Sequence, residues 1–258
     1  MVYVAAAPPK IISDNLLRRV ASIIGKEIFD TRLLLSGAIP RIVSLGQNSD
    51  TADSIAQGLR DAGLVAFVGS DSELRNSPAG FVAHTARSGE RGVLFLDRRG
   101  MEAGIEAGDA FLIIKGRKQS ITLEKTTTTK RKLNVTATVL TGGIPIMRRV
   151  TQKTTKESFQ DEDFVRIYDR RSSDPCIEMF QNHIDYAFLG PELTPSTPTN
   201  FKILVTKLRE WFPAAIFDER LTRHLKADVP VSGPEEALQI NCKLIYLFHL
   251  ARGRREND

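Results

Sequence analysis

The 258-residue chain is 41% hydrophobic and 26% charged, carries a net charge of +5 and has two cysteines, Cys176 and Cys242. That balance is ordinary for a globular protein, and so few cysteines exclude a disulfide scaffold and point to a reducing compartment. The length favours two domains over one.

The opening MVYVAAAPPK has a short apolar run broken at Pro8 and Pro9, with no basic residue ahead of it. It fits neither a signal peptide nor a membrane span, so the cytoplasm is the expected location. Val2-Tyr3-Val4 reads as an opening strand. Leu16, Leu17, Val20, Ile23 and Ile24 mark one helix, and Asp30 or Thr31 starts a second that runs through Leu33, Leu34 and Leu35 to Gly37. Arg41-Ile42-Val43-Ser44-Leu45 is the next strand. Ser49 or Asp50 then caps a helix with Ala52, Ile55, Ala56 and Leu59 on one face. Gly63 ends it, and Leu64 to Val68 form a further strand. Residues 1–69 are therefore expected to be a small α/β sandwich.

This element order, closing in LRDAGLVAFVG at residues 59–69, resembles the C-terminal domain of the ribosomal stalk protein and the related adaptor of the Clp protease. Both bind proteins, so the resemblance implies a docking surface on this domain; no motif position carries a binding residue across. The stretch LRDAGLVAFV also looks like the cell-wall-binding SPOR repeat, whose usual setting lies outside the cytoplasmic membrane.

Residues 70–80 (SDSELRNSPAG) are polar and turn-rich and read as a linker. Beyond them, residues 81–258 alternate in short segments: 81–84, 92–96, 110–114, 164–168, 176–180 and 184–189. Turn chemistry bounds each, as in Arg98-Arg99-Gly100, which predicts an antiparallel barrel or sheet. A helix over 199–212 presents Phe201, Leu204, Val205, Leu208 and Trp211 and stops at Pro213. Strands closed by one such helix resemble the plan of pleckstrin-homology-like barrels. Ala103 to Arg117 (AGIEAGDAFLIIKGR) resembles a PDZ segment in which a Gly-Asp turn enters a strand, although PAGFVA is a poor carboxylate-binding loop and the expected closing helix is missing. Ser232-Gly233-Pro234-Glu235 fits a capping box opening a helix over 234–251, apolar on more than one face and so buried in its own core or in a partner. The expected class is α+β.

The basic character is local. Residues 115–156 hold eleven Lys and Arg against one acid, Glu124, a net +10, which leaves −5 for the rest. Leu133, Val135, Ala137 and Val139 alternate with polar residues, and Thr141-Gly142-Gly143 turns the chain back through Ile144, Ile146 and Val150. The insert, residues 120–157, thus reads as a hairpin with Thr-rich arms. Lys125, Lys130, Arg131, Lys132, Arg148, Arg149, Lys153 and Lys156 are its candidate binding residues for an anionic partner. Four readings stay open: backbone contact to nucleic acid, an anionic membrane surface, a partner protein's sheet edge, or lysines that guard an exposed edge against aggregation. The insert has no aromatic residue, which argues against gripping unpaired bases.

Catalytic patterns are sparse. His84, His183, His224 and His249 lack metal spacing, and TGG at 141–143 lacks the register of a phosphate loop. Cys176 and His183 form the one thiol–imidazole pairing worth testing, with a buried structural cysteine as its rival. Asp161, Glu162 and Asp163 balance the insert, and Asp218 and Glu219 read as a solvated helix end. No cofactor or metal is expected. The sequence describes a non-enzymatic interaction protein that docks a partner protein through residues 1–69 and the hairpin; the competing class is an enzyme assembled from scattered residues, and the oligomeric state is open.

Overall fold

The computed structural model describes residues 1–76, 80–133, 147–171, 174, 176–221 and 230–255, with side chains described outside 119–160 and 254–255. Residues 1–118 and 162–258 form one compact unit and residues 119–161 a second.

Five residues set the first layer. β1 (Val2–Ala6) is central, antiparallel to β2 (Arg41–Gly46) on one side and to β3 (Ala66–Ser70) on the other, giving the order β2-β1-β3. Successive strand residues point to opposite faces. Val4 and Ala6 accordingly meet α1 (Asp14–Ile24), α2 (Ile28–Leu35) and α3 (Ser49–Asp61) through Leu17, Val20, Leu35, Ala52, Ala56 and Leu59. Tyr3 and Ala5 face the other way, with Ile42 and Phe67. A strand buried on both faces explains why VYVAA shows no polar alternation. Gly69 lies opposite Tyr3, and a Cβ there would fall 2.3 Å from the tyrosine Oη.

The local stops are chemical. Ser13 Oγ accepts the Leu16 N–H at the start of α1, and Gly25 ends that helix at φ 63°. At α3 the cap is Asn48, whose carbonyl oxygen accepts from the Asp50 and Thr51 amides, so Ser49 and Asp50 are first-turn residues instead of caps. Within the expected linker, Asp71–Arg75 form α4, capped by Ser70.

The β-rich part is not closed into a barrel: its described sheets are open. β5 (Thr85–Ser88), β6 (Gly92–Leu96) and β7 (Glu102–Glu106) make an antiparallel meander. A five-stranded sheet runs β11-β8-β9-β10-β4, built from β4 (Phe81–Val82), β8 (Ala110–Leu133), β9 (Met147–Asp169), β10 (Ile177–Phe180) and β11 (Ile216–Leu221). It is mixed, since β10 pairs parallel to β4 and β11 parallel to β8. The chain reaches β11 through helical crossovers, which deliver parallel strands where hairpins would deliver antiparallel ones. One of those crossovers corrects a predicted strand: Tyr186–Glu192 is a 3-10 helix, started by Asp185 accepting the Ala187 N–H. It leads to α5 (Thr197–Trp211), whose Phe201, Leu204 and Leu208 cover Val93, Phe95, Ile113 and Val165.

The last helix, α6 (Pro234–Arg255), settles why its sequence is apolar nearly all round. Ile240, Leu244 and Phe248 pack on Tyr3, Ala5, Ile42 and Phe67. Leu238, Cys242, Ile245 and Tyr246 pack on Phe111, Leu112, Phe164 and Tyr168. Two sheets share one helix. Its start differs from the predicted box: the Ser232 N–H and hydroxyl both donate to Glu236, while Glu235 pairs with Lys118.

Candidate functional site

Asp218 and Glu219, expected on a solvated helix end, lie on β11, and Asp218 is buried at 4% exposure. On a strand, residues two apart share a face, so Arg220 reaches Asp218 with a forked pair of bonds at 2.9 and 2.6 Å. His249 of α6 approaches the same carboxylate oxygen at 2.8 Å. Arg220 also donates to the Ala38 carbonyl and stacks over Phe248. Burial opposes ionisation of Asp218, but the bonds from His249 and Arg220 overcome it and hold its carboxyl well below the usual range. The triad ties β11 to α6 and to the approach to β2. No signal short of the strand assignment could have joined these three residues.

A second buried polar group surrounds Cys176. Arg166 pairs with Glu178 at 2.7 Å, both nearly inaccessible, and Lys243 pairs with Asp174 at 2.9 Å. The Cys176 thiol lies 4.0 Å from Glu178, and burial pushes it up to about 12. That is the reverse of an activated nucleophile, which needs a depressed thiol. His183 does not attend it: its ring packs edge-on against Phe180 and its carbonyl receives His84 Nδ1. Between Arg166, Tyr168, Cys176 and Lys243 the cavity is about 10 Å³, room for one water and for no substrate. Among the described residues no group of His, Cys, Asp and Glu is placed to hold a metal ion, and no helix is long and apolar enough to cross a membrane.

The foot of the basic insert is compensated. Lys115 pairs with Glu219, Arg117 with Asp163 and Lys118 with Glu235, so Asp163 does balance a cation here, while Glu162 accepts the Asn182 N–H. Farther out, Lys125, Lys130, Arg131 and Lys132 lie on β8 and Arg148, Arg149, Lys153 and Lys156 on β9, neighbouring strands of one sheet. Their side chains, and the turn expected at 141–143, lie outside the described residues.

No protein-family model matches the chain, and no curated protein or solved structure matches it.

A different surface stands out on the N-terminal helices. In α2, Thr31 and Leu35 point into the core one turn apart. The opposite side exposes Phe29 at 70% and Leu33 at 51%, also one turn apart, with Ile28 beside them at 46%. The three consecutive leucines therefore divide: Leu35 is buried, Leu34 packs partly on the core, and Leu33 faces outward. Arg32 is held to Asp14 of α1 at 3.1 Å, at the margin of this face. Aromatic and aliphatic side chains exposed together on a short helix have no chemistry to perform. What they can do is bury themselves against another apolar surface.

Proposed function

We propose that this chain is a non-enzymatic docking protein that holds a partner protein on the outward face of α2, with the basic arms of β8 and β9 as a second contact. One observation carries the reading: Phe29 and Leu33 form an exposed apolar ridge, one turn apart on α2 and opposite the buried Thr31 and Leu35. Covering such a ridge stabilises a complex by roughly 25 cal/mol per Å² of apolar surface removed from water. The occupant that fits is an apolar face of another protein, since the ridge offers neither charge for an anion nor concavity for a small molecule. The resemblance of residues 1–69 to protein-binding stalk and adaptor domains agrees with it. Two free, buried cysteines fit a reducing compartment, and we place the protein in the cytoplasm.

The charge of the insert favours a second reading, in which the arms bind the phosphates of nucleic acid or of an anionic membrane without reading sequence. A single comparison separates the two. Wild type, Phe29→Asp/Leu33→Asp and a variant with the eight insert cations changed to Ser are used to capture proteins from lysate of the source cell. Captured proteins are identified by mass spectrometry, purified and rebound. A one-to-one partner lost with the α2 variant and kept by the cation variant supports docking on α2; a partner indifferent to the α2 variant refutes it. Salt-sensitive binding to duplex DNA, RNA or anionic vesicles that only the cation variant loses establishes the second reading instead.

A further inference from the structure

β7 is an edge strand with an exposed open side. Asp97 N–H donates to the Met101 carbonyl and Ala107 N–H to the Arg91 carbonyl, bracketing the β6–β7 ladder at both ends. In an antiparallel pair such bonded positions recur at every second residue, so Ala103 and Ile105 direct their backbone groups to β6. Glu102 and Gly104 therefore turn N–H and C=O away from β6, and Glu106 turns its N–H the same way. Among the described residues β6 is the one sheet neighbour of β7, and no other backbone group bonds Glu102 or Gly104. All three outward positions are exposed, so an added strand can reach them.

Alternation also sends the side chains of Glu102 and Glu106 to the outer face of the sheet, about 13 Å apart at about 3.3 Å per residue. Neither carboxylate has a cationic partner among the described residues. Between them stands Gly104, which the chain's own packing does not require: its φ is not left-handed, and an added Cβ would meet nothing nearer than Leu94, at 3.8 Å. A strand glycine of that kind marks a place where another backbone or ligand comes close. Gly104, Leu94 and Gly92 floor an open trough of about 480 Å³, bounded by Glu106 on one side and by Arg87 and Arg91 on the other. The two acids select the occupant. Twofold pairing of β7 with the β7 of a second copy about Gly104 would set glutamate opposite glutamate, which destabilises the pair; a strand with cations at those places is stabilised instead.

We infer that β7 takes an extended segment of another protein as a fourth strand, one with Lys or Arg at two positions four residues apart and an aromatic residue midway. The backbone of Glu102 and Gly104 supplies the ladder, and Glu102 and Glu106 receive the cations. The aromatic ring lies across Gly104 onto Leu94, as aromatic side chains cover strand glycines elsewhere. Arg87 and Arg91 keep cations off the floor of the trough and hold them to the β7 side. The spacing is symmetric, so it serves parallel and antiparallel addition alike. This surface involves neither α2 nor the basic insert, and its test is independent of theirs.

The experiment titrates the full-length chain with a synthetic decapeptide centred on Arg-Val-Tyr-Thr-Lys, followed by calorimetry and by amide shifts in NMR. Saturable binding is expected, with the shifts gathered on residues 102–106. Affinity should fall at least tenfold when Glu replaces the peptide's Arg and Lys, when Ala replaces its Tyr, and when its amides facing β7 are N-methylated. Glu102→Lys/Glu106→Lys should lose the basic peptide and bind the Glu peptide in its place. Gly104→Pro removes one outward N–H and no bond to β6, a change an edge strand tolerates; it should abolish binding while thermal unfolding stays cooperative. Phe29→Asp leaves the affinity unchanged. The inference is overturned if the basic peptide does not bind, if the shifts fall elsewhere, if the Glu peptide binds wild type as tightly, if charge reversal at 102 and 106 has no effect, or if the N-methylated peptide matches its parent.

Discussion

α2 and α6 are both rich in apolar residues without a clean polar stripe, yet they end in opposite situations. α6 has a sheet on each side, and Ile240, Leu244 and Cys242 are fully buried. α2 has the core on one side only, and Phe29 and Leu33 are left in water. The contrast shows what an all-round apolar helix signifies: it needs two covering surfaces. For α6 the chain supplies both. For α2 the described residues supply one, and we propose that a partner protein supplies the other.

Four measurements bear on the contrast, from the largest effect to the smallest. Asp218→Asn strips the buried network that fastens α6 to β11, and should cost about 3–5 kcal/mol in urea unfolding because Arg220 loses its buried counter-charge. A loss under about 1 kcal/mol, the scale of a surface pair, would show the triad to be incidental. Next, Leu244→Ala in the middle of α6 should cost about 2–5 kcal/mol by leaving a cavity between two packed surfaces. The third is a pH series. Asp218 ionises more readily folded than unfolded, so its stabilisation is complete above the unfolded carboxyl value of about 3.9 and is lost as pH falls through the lower folded value. The stability gap between wild type and Asp218→Asn should therefore be full at neutral pH and narrow in acid. Finally, Phe29→Ser should change stability by no more than about 0.5 kcal/mol, as for an exposed site, while weakening partner capture. A large loss of stability there would mean that the ridge is part of the core and the comparison fails.

The first seventy residues were largely legible because their signals are local. Leu16, Leu17 and Val20 recur at the spacing of α1, Gly63 follows α3, and Val2-Tyr3-Val4 starts the strand at the centre of its sheet. The cap of α3 was misplaced by one or two residues, since Asn48, Ser49 and Asp50 offer nearly the same chemistry. In the β-rich part, 92–96 was readable from alternation and is β6, whereas 184–189 alternates equally well and folds as a 3-10 helix started by Asp185. Period alone does not separate those two outcomes over six residues. Of the candidate sites, the basic residues were visible as a charge count. The Asp218 triad was not visible.

By itself the sequence determined the α+β class, the positions of most helices, the confinement of positive charge to one insert and the need for α6 to be buried. Those follow from periodicity, caps and counting, which act within a few residues. Tertiary structure alone decided that α6 is shared between two sheets, that the sheets stay open and partly parallel, and that Asp218 meets His249 across 31 positions. Each depends on which distant surfaces bury one another, and the free energy of that choice belongs to the assembled core and to no single segment.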